Sequence, residues 1–294
     1  MKKQYSISRK LNISFIYIVL ILFAVSIVIP VAWVFMASLK ENSEFYGQSP
    51  WALPKGLYFQ NYIDAFEKAN MGTYMINSVI VTALALLFLL IIALPAAYVL
   101  SRYRFRGSKL LNVVFMGGLF VNVNYIVVPI FLMLVDGDTF LRTHNLPPFL
   151  LNNLVVLALI YAATHLPFTV YLLSGYFVSI PKDYEEAAFV DGSGYTHTMV
   201  KIMIPMARPA VITIILFNFL AFWNEYIIAL TLMTKDKYKT LPVGLMNLES
   251  AQRAAAQYGQ LYAGLVIVML PTLILYMIVQ KRLTQGMSLG GLKG

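Results

Sequence analysis

The side chains that could carry covalent or metal chemistry are few and scattered. The chain has no cysteine and three histidines, His144, His165 and His197, none with a partner at the spacing of a zinc motif such as HExxH. It also has no GxxxxGK[ST] stretch, the sequence that cradles the phosphates of ATP. We therefore predict no catalytic residue, no metal site and no ATP site on this chain, and we interpret the histidines as structural.

The densest group of functional side chains lies in residues 180–209, IPKDYEEAAFVDGSGYTHTMVKIMIPMARP. Asp183, Glu185 and Glu186 fall in the first turns of a short helix, where the helix dipole favours negative charge. Gly192 follows and can adopt the positive φ that ends a helix. The pattern predicts a short helix, a tight turn and a second helix. Physical reasoning leaves open whether this is a docking element or an ordinary interfacial loop.

Two polar residues interrupt an apolar segment further along the chain. Glu225 is the only acid well inside a predicted span, and such a group usually faces the protein interior or a water-filled cavity. Asn218 lies seven residues earlier, which on a continuous helix is the same face. We predict these as candidates for a translocation path, with a structural hydrogen bond between helices as the alternative.

Asn122, Asn124 and Tyr125 bring polarity to the middle of another apolar segment. On a continuous helix the two asparagines point in directions about 200° apart, so both cannot face one pore. One of them lines a path on this interpretation, while the other bonds a neighbouring helix. We include all three residues among the translocation-path candidates.

The elements that carry these residues are membrane spans. The chain is 60% hydrophobic and 12% charged, against about 45–50% and 25% in typical soluble domains, and its mean hydropathy is +0.73. This composition nearly excludes a soluble enzyme. Gaps between charged residues, at about 20 residues for each crossing, predict six transmembrane helices in an all-α integral membrane protein. They lie near residues 13–38, 72–100, 110–135, 150–177, 208–232 and 257–280.

The basic residues predict the orientation of these spans. The formal charge is +9, yet the basic residues punctuate apolar segments and form no nucleic-acid-binding face. Residues 102–109 concentrate Arg and Lys in one short loop, which the positive-inside rule places in the cytoplasm, together with both termini. The first apolar run is too long for a signal peptide and has no small-x-small cleavage site, so we predict a retained helix.

Residues 186–205 match a long and specific pattern. Glu186-Ala187-Ala188, Gly192, Ile202 and Ile204-Pro205 fall at the spacing EAA-x3-G-x9-I-x-LP, with Ile204 in place of Leu. This pattern resembles the EAA loop of the membrane subunits of binding-protein-dependent ABC importers. Residues 180–209 are called the EAA loop below.

Other segments from about residue 58 to the end resemble the sugar-importer permeases, most closely the second, maltose-type permease of carbohydrate importers. These segments are Asn61-Tyr62, Asn77-Ser78, Ala97-Tyr98, Ser101-Arg102, Phe105-Arg106-Gly107, Pro167-Phe168, Trp223-Asn224-Glu225, Leu241-Pro242-Val243-Gly244-Leu245 and Gly290-Gly291-Leu292-Lys293-Gly294.

The resemblance implies a type I ABC importer permease fold and an assembly of several subunits. A second, homologous permease completes the pathway, and an extracellular solute-binding protein delivers the sugar. Two cytoplasmic ATPase subunits carry ATP and Mg and receive the EAA loop in surface clefts. The chain itself then binds no cofactor and no nucleic acid and lies in the cell membrane among its lipids. The implied ATPase-coupling residues are Glu185, Glu186, Ala187, Ala188, Asp191, Gly192, Ile202 and Pro205.

On this basis the chain divides into residues 1–70, with a cytoplasmic tail, the first span and an outer loop, a core permease domain at 71–281, and a cytoplasmic tail at 282–294. The maltose-type resemblance favours an oligosaccharide as the transported sugar. A secondary transporter or channel is the alternative function, but it requires several ionisable residues at mid-membrane depth, and only Glu225 approaches this.

Overall fold

The computed structural model describes residues 7–46, 49, 51–255 and 257–290, and side chains for 12–46, 49, 51–250 and 257–280. Within that part the chain forms helices and no strand. Both termini are predicted to be cytoplasmic, and their basic residues Lys2, Lys3 and Lys293 lie outside the described residues. The α-helices are α1 (Ile7–Ser38), α2 (Gln60–Glu67), α3 (Met71–Arg102), α4 (Ser108–Gly118), α5 (Val123–Thr143), α6 (Leu154–Ser179), α7 (Asp183–Val190), α8 (Tyr195–Thr198), α9 (Ile204–Met206), α10 (Arg208–Trp223), α11 (Ile227–Leu232), α12 (Leu241–Ala255) and α13 (Tyr258–Gly290).

Five of these helices are long and apolar enough to cross a membrane: α1, α3, α5, α6 and α13. Residues 195–206 and α10 meet at an angle of 74° and pass the same test only as a bent pair, so the described residues hold five candidate spans, or six if that pair counts as one. The prediction of an all-α, multi-pass membrane protein is therefore confirmed. Four predicted spans agree with α1, α3, α6 and α13 to within a few residues at most of their ends, although α1 and α13 each extend further towards a terminus.

The third predicted span, 110–135, is wrong in its bounds. Helix α4 ends at Gly118, and α5 begins at Val123, because the Asn122 side chain accepts a hydrogen bond from the Asn124 N–H and caps the new helix. Helix α5 then continues to Thr143. The buried Asp138 carboxylate accepts the N–H groups of three successive residues from Phe149 to Leu151, at 2.9–3.1 Å. These bonds stabilise the buried charge of Asp138, which lies in α5 beyond residue 135, where the predicted span ended.

The fifth predicted span, 208–232, is also interrupted. Helix α10 ends at Trp223, and α11 begins at Ile227. Asn224 caps the end of α10 through its N–H to the Leu220 carbonyl. The intervening Glu225 caps α11, so the break is built by hydrogen bonds.

The packing divides the chain into two compact units, one with residues up to Met71 and Leu245–Met269, the other with Gly72–Gly244 and the residues from Leu270 onward. The predicted division at residues 70 and 281 concerns function and remains a prediction. In the second unit the core follows a stripe of small residues on α3, including Ala85, Ala93 and Ala97, all fully buried. Small side chains allow helices to approach closely where lipid provides no hydrophobic driving force.

The first unit contains an aromatic cluster. Trp33 of α1 meets the Tyr262 ring edge-on at 5.0 Å, and Phe45 stacks on Tyr262 at 5.7 Å. Nearby, burial acts to raise the pKa of the Glu44 carboxyl, but N–H groups of Lys55 and Glu41 outweigh it and hold the pKa below its usual value. These contacts pack the loop after α1 against the aromatic rings of α1 and α13.

Candidate functional site

The EAA loop folds as the sequence predicts, into a helix, a turn and a second helix. Helix α7 begins at Asp183, two residues after Pro181, and its first turn carries the three acids. The chain then reverses at Gly192, whose φ is +79°. The N–H of Gly192 bonds the Phe189 carbonyl at 3.0 Å, and the N–H of Ser193 bonds the Ala188 carbonyl at 2.9 Å, so the last carbonyls of α7 are satisfied.

Four of the predicted coupling residues are exposed along α7 and at the turn that follows it. Glu186 and Ala187 on α7 are exposed, as are Asp191 and Gly192 at the turn. Ala188 is buried and packs inward. The exposed surface combines acidic side chains with positions that carry little or no side chain, so a partner could approach the backbone there closely. We call these four residues the docking face.

Glu185 faces the opposite way, into the protein. Its Oε2 lies 3.0 Å from Arg102 Nε, and its Oε1 accepts a hydrogen bond of 2.7 Å from the Tyr98 hydroxyl. The Arg102 and Glu185 side chains are 4% and 9% exposed. Arg102 Nη2 also donates to the Ile180 carbonyl at 2.8 Å. Glu185 therefore anchors the loop to the end of α3, and its implied role in coupling to an ATPase stays a prediction.

This anchor is the functional feature that sequence reasoning missed. The sequence assigned Arg102 to the basic loop that indicates orientation and to the family resemblance. It assigned Tyr98 to the resemblance alone. One signal was available, because Glu185 directly precedes the EAA motif and is an additional acid that the motif does not require. Its pairing with an arginine that is 83 positions away in sequence needed the tertiary structure.

Ile202 and Pro205 lie behind the turn, in the second helix of the loop. Residues Met199–Met203 form one π-helical turn that continues α8. Ile202 is half-buried and packs against the core, whereas Pro205 is exposed in the short helix α9. Neither residue belongs to the docking face. Ile202 supports the loop from within, and the implied coupling roles of Ile202 and Pro205 stay predictions.

The structure does not bring the translocation-path candidates together as one surface. Asn122, Asn124 and Tyr125 lie at the start of α5, and all three are exposed, with Tyr125 82% exposed. Because Asn122 precedes the helix as its cap, the predicted 200° separation on a continuous helix does not apply. Asn218 is buried instead, and its amide donates to Thr169 Oγ1 of α6 at 3.1 Å and to the Ile214 carbonyl at 2.9 Å.

Glu225 is held by three hydrogen bonds at the break between α10 and α11. Its carboxylate accepts the N–H groups of Ile228 at 2.7 Å and Ala229 at 3.1 Å, and the Tyr161 hydroxyl of α6 at 2.5 Å. Since α10 ends before it, Glu225 does not share a helical face with Asn218, contrary to the sequence-based expectation. These contacts favour the structural alternative for both residues.

No group of three or more His, Cys, Asp and Glu side chains in the described part of the chain is arranged to hold a metal ion. His144 bonds the Phe140 carbonyl of its own helix, and His165 packs edge-on against the Phe222 ring. The EAA loop, by contrast, is suited to dock a partner and to transmit movement. Its acidic and small residues are exposed, and its base is fixed to α3 by the Arg102–Glu185 pair.

Comparisons with known proteins show which proteins this chain resembles. Residues 90–289 match the family model of the binding-protein-dependent transport system inner membrane component. The chain is 36% identical to the diacetylchitobiose uptake system permease protein NgcG of Streptomyces coelicolor over 92% of this chain and 86% of that protein. It is 32% identical to the probable ABC transporter permease protein YurM of Bacillus subtilis over 95% and 88%. In the crystal structure of a bacterial ABC transporter involved in the import of the polysaccharide alginate, one chain superposes with a TM-score of 0.78 at 25% identity, covering 94% of this chain and 98% of that one.

Proposed function

Since this chain belongs to the family of binding-protein-dependent transport system inner membrane components, as a permease of the carbohydrate ABC importers, we propose that its EAA loop couples sugar translocation to ATP hydrolysis on partner subunits. Closure of two ATPases around ATP and Mg moves the docked loop, and the loop moves the spans. The pathway then alternates between inward-facing and outward-facing states. The chain itself catalyses no covalent step.

The anchored loop is the observation that carries this proposal. A lever must present a surface to its partner and must be joined rigidly to the part that it moves. The docking face provides the surface, because Glu186, Ala187, Asp191 and Gly192 are exposed. The Arg102–Glu185 pair provides the rigid joint, because it ties α7 to the end of α3, a 32-residue membrane-spanning helix. Movement of the docking face is therefore passed directly to a span.

The partners follow from the same proposal. A second, related permease completes the pathway, two ATPases bind from the cytoplasm, and an extracellular solute-binding protein delivers the sugar. The docking face supports the ATPase contact, because its two acids can meet basic groups and its small residues allow close approach. ATP and Mg bind the ATPases, and this chain holds no cofactor.

We propose an oligosaccharide as the transported sugar. NgcG, 36% identical to this chain, is named for diacetylchitobiose uptake, and the structurally similar transporter imports a polysaccharide. The exposed Asn122, Asn124 and Tyr125 combine amide groups with an aromatic ring, which suits hydrogen bonding and stacking to a sugar. Substrate selection rests mainly on the binding protein, so these residues serve passage of the sugar more than its recognition.

The test is ATP-driven sugar uptake by the complete complex in lipid vesicles, with Gly192→Leu compared to Gly194→Leu. Both glycines are exposed, and a Cβ at either position meets no atom within 4 Å. They differ in backbone conformation, since φ is +79° at Gly192 and −77° at Gly194. A leucine at the left-handed position costs about 1–2 kcal/mol, so Gly192→Leu should reduce uptake or ATPase co-purification severalfold and Gly194→Leu should not.

Two results would overturn the proposal. Equal effects of the two substitutions, or none, would remove the turn from the coupling mechanism. If the chain purifies without an ATPase and supports sugar flux without ATP, it is a secondary transporter or channel.

A further inference from the structure

Four exposed basic side chains line one cavity, and one of them, Lys182, stands at the start of the EAA loop but outside the docking face. The cavity has a volume of about 840 Å³ and is formed by the end of α3, the start of α4 and the residue before α7. Arg104, Arg106, Lys109 and Lys182 line it, and all four are exposed. Among the described side chains, no carboxylate forms an ion pair with any of the four. We call this cavity the basic pocket.

The backbone adds to the positive potential of the basic pocket. Helix α4 begins there and is 11 residues long, with Gly107 at its N-cap position. Gly107 has φ of +91° and no side chain to cap the helix, so the positive end of the helix dipole remains available to an anion. Helix dipole and side chains therefore favour the same ligand, a negatively charged group.

An apolar groove continues directly from the basic pocket. It has a volume of about 550 Å³ and shares Leu100, Ser101 and Asn112 with the pocket. Its other lining residues come from α4 and α6 and are mostly apolar: Phe115, Met116, Val170, Tyr171, Leu172, Ser174, Gly175 and Val178. The charged and apolar volumes are thus adjoining parts of one surface that runs along α4.

The boundary between them coincides with a change in the exposed residues of α4. Lys109 in its first turn is followed by exposed apolar side chains, Leu110 at 68%, Val113 at 67% and Val114 at 60%. Such a change from charge to exposed hydrocarbon is expected where a helix passes from the headgroup region into the hydrocarbon of a bilayer. The pocket therefore lies at headgroup depth, and the groove lies at acyl-chain depth.

We propose that the basic pocket binds the phosphate of an anionic phospholipid, with one acyl chain of the same lipid in the adjoining groove. A soluble phosphate compound would satisfy the charges but leave the groove unfilled. A zwitterionic lipid would fill the groove but carry no net charge to balance the four cations. The inference depends on the membrane-embedded fold and not on the coupling mechanism.

The test is native mass spectrometry of the complete importer complex in detergent, titrated with phosphatidylglycerol and with phosphatidylcholine of the same acyl chains. The variant Lys109→Gln with Lys182→Gln removes two charges from the basic pocket. The control Lys235→Gln with Lys237→Gln removes two exposed lysines from the loop after α11, away from the pocket. We expect wild type to retain phosphatidylglycerol selectively, the pocket variant to bind it about tenfold more weakly, and the control to match wild type.

Each contrary outcome overturns the proposal in its own way. Equal retention of the two lipids would show that the groove alone holds lipid. Equal losses in the pocket variant and the control would show a general surface-charge effect. Displacement of phosphatidylglycerol by millimolar inorganic phosphate would assign the pocket to a soluble anion. Absence of any retained phosphatidylglycerol from the complete complex would show that a partner subunit fills the pocket.

Discussion

Single ion pairs and caps determine how the functional loop and the broken helices are held. Arg102 and Glu185 have both lost most of their contact with water, and such a pair is stable only when its remaining polar atoms find partners. The Tyr98 hydroxyl and the Ile180 carbonyl provide those partners. These side-chain contacts therefore fix the position of α7 relative to α3, as the proposed coupling role of the EAA loop requires.

We expect Glu185→Gln to destabilise the isolated permease strongly and Glu186→Gln to leave its stability almost unchanged. Glu185→Gln leaves the Arg102 charge buried and unpaired, which costs about 3–5 kcal/mol, whereas exposed surface changes cost about 0.5 kcal/mol or less. The measurement is the Tm of the purified permease without its ATPases, with proteolysis of the EAA loop as a local readout. Arg102→Gln combined with Glu185→Gln should cost less than the sum of the single changes. Strict additivity would contradict an internal anchor.

Glu225 offers a test between a structural role and a place on the translocation path. Glu225→Ala removes the cap of α11, and we expect a loss of about 1–2 kcal/mol in stability. The KM for the sugar should stay unchanged in the protein that remains folded. Tyr161→Phe removes one of the three hydrogen bonds to the carboxylate and should have a milder effect in the same direction. A raised KM with an unchanged Tm would place Glu225 on the path instead.

At the scale of elements, the breaks in the helices matter as much as the spans. Helix α4 is separate from α5 because α4 ends at Gly118 and α5 begins only after the Asn122 cap. Gly118 also lets α4 lie against α6, since a Cβ on Gly118 would fall 2.7 Å from Pro167 Cγ. The neighbouring Gly117 has no atom within 4 Å of the same position. Of these two adjacent glycines, only Gly118 is required for the packing of α4 on α6.

This difference predicts opposite outcomes for two alanine substitutions. Gly118→Ala drives a methyl group into the rigid ring of Pro167 and should cost about 1–3 kcal/mol through overpacking. Gly117→Ala meets open space and should be neutral, or stabilising by up to about 1 kcal/mol through helix propensity. The Tm of the complex measures both. Similar effects from the two variants would show that α4 does not pack on α6 through Gly118.

At the scale of the whole molecule, lipid or other subunits must complete what this chain leaves open. Within the described part of the chain, none of the most apolar window of α1 is buried. Phe15, Leu22 and Phe23 are each more than 60% exposed. So much exposed hydrocarbon is stable only in a bilayer or against another apolar surface. The exposed apolar surface of α1 thus agrees with the family in indicating a membrane protein.

The orientation of the molecule can be measured directly, because the natural chain has no cysteine. We expect Leu146→Cys, in the exposed loop between α5 and α6, to react with a membrane-impermeant maleimide on intact cells. Thr196→Cys, exposed in the EAA loop, should react only after permeabilisation. Both variants should label fully after denaturation. The reverse pattern would contradict the predicted cytoplasmic location of the EAA loop and of the basic residues.

The sequence by itself determined the class of the protein, four of its six predicted spans and the helix-turn-helix form of its EAA loop. Long apolar segments without charge indicate membrane spans. In a bilayer such a segment forms a helix, because its backbone N–H and C=O groups must hydrogen-bond within the segment. The spacing from Glu186 to Pro205 identified the loop, and Gly192 marked its turn, because a left-handed φ favours glycine whatever surrounds it. These properties are local, so they can be determined from neighbours along the chain.

Only the tertiary structure decided how particular polar residues are used. Glu185 and Glu186 are chemically identical neighbours, yet one is buried against Arg102 and the other is exposed. Glu225 was expected on the face of Asn218, but it caps a new helix and bonds Tyr161 from α6. A buried polar group takes whichever partner the packing brings to it, often one that is distant in sequence. Composition and spacing along the chain contain no record of that partner, and so the fold alone assigns the role.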